Sequence, residues 1–357
     1  MAAPADYLDA SDLKSVVSGG VIHEDVLDQI FDISDIPTPF LDMIGTDSYD
    51  NPYSSWLEDK LAAPDTANKV VSGKNSVSTD NKATVANQKR VGNHAQISTK
   101  DVQVSERGNA VDVIGRGEEM GYQTAQRLQE LRRDVEAICL SNQASVEDNG
   151  NNVAGQSAGA GAWIATNDSF GVAGASGGFD GATKLVVAPT PGEDRDLTWT
   201  MITDQIEACY LLGGNPSVLM SVPQVTKRLA KYLFTTPYAA APTANINGQG
   251  EGVNQTSQGY IDVFRTDFGT TMRITPNRLQ QTYASGDGAP TQVANVFGFD
   301  PQFWKLGLLY GWKVDPLGKI GLSHWKLLHV DWMLKAFLER ANFVIRDITP
   351  TGVVTLP

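Results

Sequence analysis

The sequence is poor in the residues that covalent and metal-based chemistry needs. Its 357 residues include only two cysteines, Cys139 and Cys209, and four histidines. Both cysteines lie in apolar segments with helical spacing, so we expect small core residues and no disulfide. The histidines show no His-x-x-x-His spacing and no Cys-x-x-Cys pair is present, so we expect neither a metal site nor a cofactor.

Long apolar runs are also missing. No run approaches the ~18 residues that a membrane-spanning helix needs. The start, MAAPADYLDASD, has neither the basic cluster nor the apolar core of a secretory signal, which favours a protein folded in the cytoplasm. With 41% hydrophobic and 19% charged residues, the chain is long enough for a sizeable core, in two domains or in one with large excursions.

Motifs of catalysis are absent as well. The chain has no Gly-x-Ser-x-Gly elbow and no Gly-x-x-x-x-Gly-Lys-Ser/Thr phosphate loop. The acid pairs Glu118/Glu119 and Asp194/Asp196 would suit glycoside cleavage only at a defined separation, and acids at a helix start are typically solvated. We therefore assign no catalytic residue and expect no enzymatic activity.

One triplet, Asp267-Phe268-Gly269, matches the magnesium-binding Asp-Phe-Gly of protein kinases. A kinase also needs a His-Arg-Asp loop and a glycine-rich phosphate loop, and the chain has neither. Residues alternate with a period of two before and after the triplet, from Ile261 to Pro276, as in strands. The pattern predicts a β-hairpin with Gly269 in its turn.

The net charge of −13 is unevenly distributed. Residues 1–59 contain thirteen carboxylates and a single base, Lys14, whereas residues 60–100 contain seven bases and two acids. Nucleic-acid binding would require a basic face together with stacking aromatics. An acidic segment followed by a basic one instead suggests matching between protein partners.

Four kinds of segment follow each other along the chain. Residues up to about 56 hold short apolar clusters broken by proline, which indicates an extended arm with one or two helical turns. Residues 57–96 contain no aromatic residue, and their Val, Thr, Ser and Lys content predicts a polar hairpin that needs a neighbour to lie on. A long helix and a mixed α/β body come next.

The long helix is the clearest periodic element, expected over about residues 115–143. Leu128, Leu131, Val135 and Ile138 recur at spacings of three and four, which makes one apolar stripe and the predicted core face.

In the α/β body, residues 147–180 predict loops and short strands. Further on we expect an amphipathic helix from about Trp199 to Gly213, a buried strand at 217–222, a helix starting at Pro223 and a long strand over 328–338.

The order of these segments resembles the major capsid protein of tailed bacteriophages, the Hong Kong-type capsid fold, which encapsulin shells share. Matching blocks include ISDIPTPFLDMIG (33–45), WLED (56–59) and the stretch from Gly92 to Ser145. Three later blocks also look like the family: LLGGNPSVLMSVPQVTKRL, VFRTDFGTTMRITPNR and HVDWMLKAFLERANFVIRDI. The likeness covers most of the chain and is weakest over 149–196.

The resemblance implies an α+β subunit with four parts and a closing segment. These are an N-terminal arm (1–55), an extended β-hairpin loop (56–97), a peripheral domain with the spine helix (98–195), an axial domain (196–310) and a C-terminal segment completing the α/β body (311–357).

The implied function is that of a major capsid protein. Hexamers and pentamers would self-assemble into an icosahedral head shell that encloses double-stranded DNA without sequence-specific binding. Because only about 55 residues without coiled-coil heptads precede the loop, we expect a separate scaffolding protein, and a portal as a further partner. Assembly would take place in the cytoplasm of a bacterial host, and the product would be the virion.

In the family, arm and loop both lie on neighbouring subunits, so the charge asymmetry predicts contacts between them. The candidate contact residues are Lys69, Lys74, Lys82, Lys89 and Arg90 in the loop and Asp25, Asp28, Asp32 and Asp35 in the arm. Covalent crosslinking of the loop lysines is not expected. Two alternatives stay open: an encapsulin-like nanocompartment that encloses enzyme cargo, and a soluble enzyme of unrecognised class.

Overall fold

A computed structural model describes residues 37–60, 88–111, 117–235, 263–266, 268–288 and 290–350, with the single residues 64, 66, 69, 72 and 113. The helices of these residues are α1 Pro39–Met43, α2 Glu106–Ala110, α3 Glu119–Cys139, α4 Ala160–Trp163, α5 Trp199–Leu211 and α6 Pro223–Thr235. The strands are β1 Gly45–Ser48, β2 Tyr53–Glu58, β3 Lys89–His94, β4 Gln96–Ser105, β5 Asp168–Ser169, β6 Gly178–Asp180, β7 Leu185–Val187, β8 Val218–Ser221, β9 Val263–Arg265, β10 Thr271–Pro276, β11 Tyr283–Ala284, β12 Gln292–Phe299, β13 Trp304–Ile320, β14 Ser323–Ala336 and β15 Phe343–Ile348.

The chain divides into two compact units. The first includes Lys100–Leu128 and Val314–Leu328, and the second includes Ile36–Thr99, Gln129–Lys313 and His329–Pro357. The predicted division into arm, loop, peripheral, axial and closing segments stays a prediction.

A seven-stranded mixed sheet organises the second unit. Six strands follow the order β5-β15-β12-β8-β10-β9, and β11 pairs with β12 outside this path. Helices α5 and α6 contribute to the same apolar core as β8, β10, β12 and β15. In β10 the alternation puts Met272 and Ile274 into this core, whereas Arg273 between them is exposed. Apolar residues recur every second position in the strand and about every 3.6 positions in the helices, so each element directs one apolar face into this core.

Helix α5 has the predicted start and end. The Thr198 hydroxyl accepts a hydrogen bond from the Met201 N–H at 3.4 Å, which satisfies one of the free donors of the first turn. Ile202, Ile206 and Cys209 are buried. The chain leaves the helix at Gly213, whose φ of 85° is unfavourable for residues with a Cβ.

The predicted hairpin around the Asp-Phe-Gly triplet is present. Strands β9 and β10 pair antiparallel, with Arg265 opposite Thr271. Gly269 has a φ of 83°, as a tight turn requires. Asp267 itself lies outside the described residues.

Helix α3 is four residues shorter at each end than the predicted 115–143. The Asn109 side-chain oxygen accepts from the Met120 N–H at 3.1 Å, and the Ser141 hydroxyl donates to the Ile138 carbonyl at 2.7 Å. These side chains satisfy backbone groups at the two ends. On the predicted core face of this helix, Leu131 and Val135 are buried, whereas Leu128 and Ile138 are only half-buried.

The strand expected over 328–338 is observed as β14, which begins five residues earlier and ends two residues earlier than predicted. The alternating pattern predicts one buried face, but every residue from Val330 to Ala336 is buried. Polar side chains cause the difference because they find fixed partners: the Tyr49 hydroxyl donates to Asp331 at 2.7 Å, and Lys335 donates to Asp47 at 2.8 Å.

The root of the predicted extended loop is the antiparallel pair β2–β3, which sets Trp56 opposite Val91 and Glu58 opposite Lys89. Most residues between these strands lie outside the described part of the chain. The predicted contact residues Lys74 and Lys82 of the loop and Asp25, Asp28, Asp32 and Asp35 of the arm also lie outside it.

Candidate functional site: the arm anchor and the loop root

The first turn of α1 is held by a carboxylate that is 96 residues away in the sequence. The backbone N–H groups of Phe40 and Leu41 donate to the two oxygens of Glu136, each at 2.8 Å. The side chain of Asn277 donates to Oε1 of the same carboxylate at 2.6 Å. Since the first N–H groups of a helix have no intrahelical acceptor, Glu136 acts as a long-range cap for α1.

Glu136 is fully buried. Burial raises the pKa of its carboxyl, and the hydrogen bonds from Phe40, Leu41 and Asn277 oppose that shift. A buried carboxylate with three donors is costly to disturb, because removing it leaves buried donors without an acceptor. The sequence pattern missed this residue, which lies next to Val135 of the apolar stripe.

The Phe40 side chain forms the apolar half of the anchor. It is fully buried, and its ring centroid lies 4.9 Å from that of Phe299 and 6.1 Å from that of Trp304. Pro39 stands at the helix start, where its missing N–H is no loss. We define Phe40, Leu41 and Glu136 as the arm anchor; it joins α1 to α3 within the second unit.

Several acids of the predicted acidic segment have basic partners in the same chain. Asp42 pairs with Arg132, whose Nε also donates to Thr38 at 3.0 Å. Lys335, which is buried, donates to Asp47 at 2.8 Å, and this hydrogen bond lowers the pKa of the Asp47 carboxyl. Asp42 and Asp47 therefore have basic partners within the chain, which the sequence count does not take into account.

The loop root is fixed by Trp56 and Asn93. The Trp56 indole N–H donates to the Ala336 carbonyl at 2.9 Å, and its ring lies 5.6 Å from the ring of Trp163. Asn93 is fully buried and donates to the Leu334 carbonyl at 2.8 Å. These contacts hold β2 and β3 to the body of the second unit by buried hydrogen bonds, whose loss is expensive.

A cleft of about 390 Å³ lies beside the loop root, lined by residues that include Glu58, Lys89, Phe179 and Glu339. Glu58 is buried, and its nearest oxygen is 3.8 Å from the guanidinium of Arg340. Burial, with a smaller contribution from the charge of Glu339, raises the pKa of Glu58 to about 7. This root therefore contains a carboxyl that titrates near neutral pH.

Glu58→Gln is expected to remove a pH dependence of stability. Because the folded-state pKa lies above the usual value of 4.5, Glu58 stabilises the fold at low pH, and this contribution is lost as the pH rises through about 7. At pH 5 the neutral Gln variant should have about the same free energy of unfolding as wild type. At pH 8 its free energy of unfolding should be higher than that of wild type by roughly 1–3 kcal/mol.

The measurement is urea unfolding at the two pH values, with the exposed neighbour Asp59→Asn as the control. Wild type and Glu58→Gln losing the same stability between pH 5 and pH 8 would contradict the prediction.

The structure describes three of the five loop residues that were predicted as contact residues. Lys69, Lys89 and Arg90 are exposed. The ammonium of Lys89 lies 5.7 Å from the centre of the Phe179 ring, and Nε of Arg90 donates to the Ser55 hydroxyl at 2.9 Å. Lys89 and Arg90 are the first two residues of β3 in the second unit.

A buried ion pair that the sequence did not suggest holds β15 to β5. Nε of Arg346 donates to both oxygens of Asp168, at 2.7 and 2.8 Å, and both side chains are almost fully buried. The guanidinium also donates to the carbonyls of Gly161 and Ile164 at 2.6 and 3.0 Å. Burial raises the pKa of Asp168 to about 6, against the opposing effect of Arg346. These hydrogen bonds join β15 to β5 and to the backbone at Gly161 and Ile164.

Within the described ranges, no three His, Cys, Asp or Glu side chains are placed to hold a metal ion. Both cysteines are free, and both are buried, as expected of small core residues. In the same part of the chain, no helix is long and apolar enough to cross a membrane.

Exposed apolar side chains mark the first unit. Val314 and Leu317 of β13 are 37% and 46% exposed, and Leu322 in the turn between β13 and β14 is 77% exposed. Apolar residues grouped on one exposed hairpin are typical of surfaces that bind another protein.

Solved structures show which fold this is. A chain of the cyanophage Pam1 capsid asymmetric unit is 13% identical with a TM-score of 0.54, and the alignment covers 98% of this chain and 100% of that one. A chain of Gordonia phage Cozz is 12% identical with a TM-score of 0.53, covering 97% and 96%. A chain of the holo-SrpI encapsulin complex of Synechococcus elongatus PCC 7942 is 8% identical with a TM-score of 0.51, and the alignment covers 98% of this chain and 99% of that one. The fold is the Hong Kong-type capsid fold.

Sequence comparison is more specific than the fold. The profile of the family described as SU10 major capsid protein matches residues 9–349, and the chain belongs to that family. The major capsid protein of Escherichia phage Phieco32 is 37% identical over 110 residues, which are 31% of this chain. The chain spans about 30% of the length of this curated relative.

Proposed function

We propose that copies of this chain assemble into the closed icosahedral head shell of a tailed phage, as hexamers and pentamers around double-stranded DNA. The match of the SU10 major capsid protein family to residues 9–349 carries the proposal. The Hong Kong-type fold supports it, because phage capsid chains share that fold over nearly the whole length.

Such a subunit would work through surface burial and not through catalysis. Obligate interfaces bury ~2,000 Å² or more, so that many weak contacts sum to a lasting container. The exposed apolar residues of the β13–β14 hairpin suit such contacts. We propose no enzymatic activity, and we propose a separate scaffolding protein and a portal as partners. Assembly would take place in the cytoplasm of the bacterial host.

Particles purified from the native source test the function. Closed shells with nuclease-protected double-stranded DNA are the expected result. Closed shells with protein cargo and no DNA would support the encapsulin alternative, which shares the fold. A small oligomer without shells would contradict both shell functions.

Contacts between the arm of one subunit and the loop of another stay part of the proposal. Reversing Lys69, Lys74 and Lys82 to Glu is expected to lower the assembly yield at low salt and to matter less at high salt. Each exposed ion pair contributes only ~0.2–1 kcal/mol and is screened beyond ~8 Å at physiological salt, but the cluster recurs at every subunit boundary.

The yield is measured by sedimentation across salt concentrations. Reversing Asp25 and Asp28 to Lys in the same chain should restore part of the loss. Normal assembly of the triple lysine variant at low salt would show that arm and loop are not electrostatic partners.

A further inference from the structure

The turn of the β9–β10 hairpin presents the side chain of Phe268 in a defined way. The Thr266 N–H donates to the Thr270 carbonyl at 2.8 Å, and the Gly269 N–H donates to the Thr266 carbonyl at 3.0 Å. The Thr270 N–H donates to the Thr266 hydroxyl at 3.1 Å. Three hydrogen bonds across five residues fix the backbone that carries the Phe268 ring.

The Phe268 ring stacks on the ring of Tyr210, with centroids 4.7 Å apart and planes 15° from parallel. Phe268 is 40% exposed, Tyr210 is 54% exposed, and the adjacent Leu211 is 76% exposed. The Thr270 hydroxyl donates to the Asn215 side chain at 2.6 Å, which ties the hairpin to the segment after α5. We define Tyr210, Leu211 and Phe268 as the aromatic knob.

Single exposed apolar residues need no explanation, but a stacked pair beside an exposed leucine does. Aromatic residues are enriched at protein interfaces, where a large rigid ring loses little entropy on binding. The described contacts of the knob join α5 to the hairpin and still leave large apolar areas on all three side chains.

Charges of opposite sign flank the aromatic knob. On the helix side, the exposed residues Asp204 and Glu207 stand two turns and one turn, respectively, before Leu211. On the hairpin side, Arg265 of β9 and Arg273 of β10 are exposed. A surface with an acidic side and a basic side complements a second copy of itself in a head-to-tail arrangement.

We propose that the aromatic knob docks onto a second copy of this chain, with the helix side of one copy against the hairpin side of the next. Head-to-tail contacts form rings when the rotation closes, which suits hexamers and pentamers. The inference rests on the proposed shell function and deepens it by naming the surface and its partner. It also gives the Asp-Phe-Gly turn a role: to present an aromatic side chain.

The first test is the variant Leu211→Glu combined with Phe268→Ser. The changed side chains are exposed, so the unassembled subunit should keep the circular dichroism spectrum and Tm of wild type. The sedimenting assembled fraction should fall at least tenfold. Val172→Glu, which places the same charge at a residue 69% exposed elsewhere in the second unit, is the matched control and should assemble normally.

A second test does not depend on the apolar side chains. Reversing Asp204 and Glu207 to Lys should reduce assembly at low salt, and adding Arg265→Glu and Arg273→Glu in the same chain should restore at least part of it. Restoration supports a contact between the two sides of the knob. Equal loss in both charge variants would overturn the head-to-tail arrangement.

The outcomes separate this inference from the proposed function. If wild type and the Leu211→Glu, Phe268→Ser variant both form closed shells in equal yield, the knob proposal is overturned and the shell function stands. If the variant subunit is folded and stays unassembled while wild type forms shells, the proposal is supported. If wild type forms only small oligomers, both are overturned.

Discussion

Replacing Val135 by aspartate is expected to leave the subunit unfolded or insoluble. Val135 is fully buried on α3, so the change puts an unpaired carboxylate into the apolar stripe. Burying such a group costs several kcal/mol, against a total stability of ~5–15 kcal/mol for a typical domain. Solubility after expression and far-UV circular dichroism measure the effect.

Gln129→Asp is the matched control because it introduces the same side chain at an exposed position of the same helix. It should stay folded and assemble. Soluble, assembling Val135→Asp protein would mean that this face of α3 is not core.

The second large effect is expected at the arm anchor. Glu136→Ala would leave the N–H groups of Phe40 and Leu41 and the Asn277 side chain without their shared acceptor, in a buried site. A loss of about 3–5 kcal/mol in the free energy of unfolding follows from several unsatisfied buried donors and a small cavity. Glu136→Gln keeps one acceptor oxygen and should lose about 1–3 kcal/mol.

Urea unfolding measures both variants, and limited chymotrypsin cleavage at Phe40 reports release of α1. Arg132→Ala, on the same helix as Glu136, is the control, since it removes the exposed ion pair with Asp42 and the hydrogen bond to Thr38 and should cost at most ~2 kcal/mol. If Glu136→Ala is no less stable than Arg132→Ala, Glu136 does not hold the arm.

Elements governed by local patterns could be predicted from the sequence. The period of 3.6 in α5, its end at Gly213 and the hairpin turn at Gly269 depend on residues within a few positions of each other, and the structure shows all three. The order of blocks that resemble those of the capsid family was enough to suggest the capsid fold, which the structural comparisons confirm.

What the sequence did not predict depends on partners that are far away along the chain. Glu136 looks like a solvated position until Phe40 and Leu41 are brought to it. Arg346 and Asp168 are 178 residues apart, so no spacing rule joins them. The same applies to β14, whose polar side chains pair with Asp47 of β1 and with Tyr49, which follows β1. Local pattern gives the elements, and long-range pairing decides which polar groups are buried.

The arm and loop charges illustrate the same limit. Counting residues gave a strongly acidic segment over residues 1–59, but Asp42, Asp47 and Glu58 each have a basic neighbour in the same chain. Charge counts ignore such pairing, because it is set by the fold and not by composition.

Cryo-electron microscopy of the wild-type particles tests the central claim most directly. The account predicts closed icosahedral shells in which each subunit has the Hong Kong-type fold, α1 lies against Glu136 of α3, and the interior contains double-stranded DNA. A discrete small oligomer with no closed shell would contradict it.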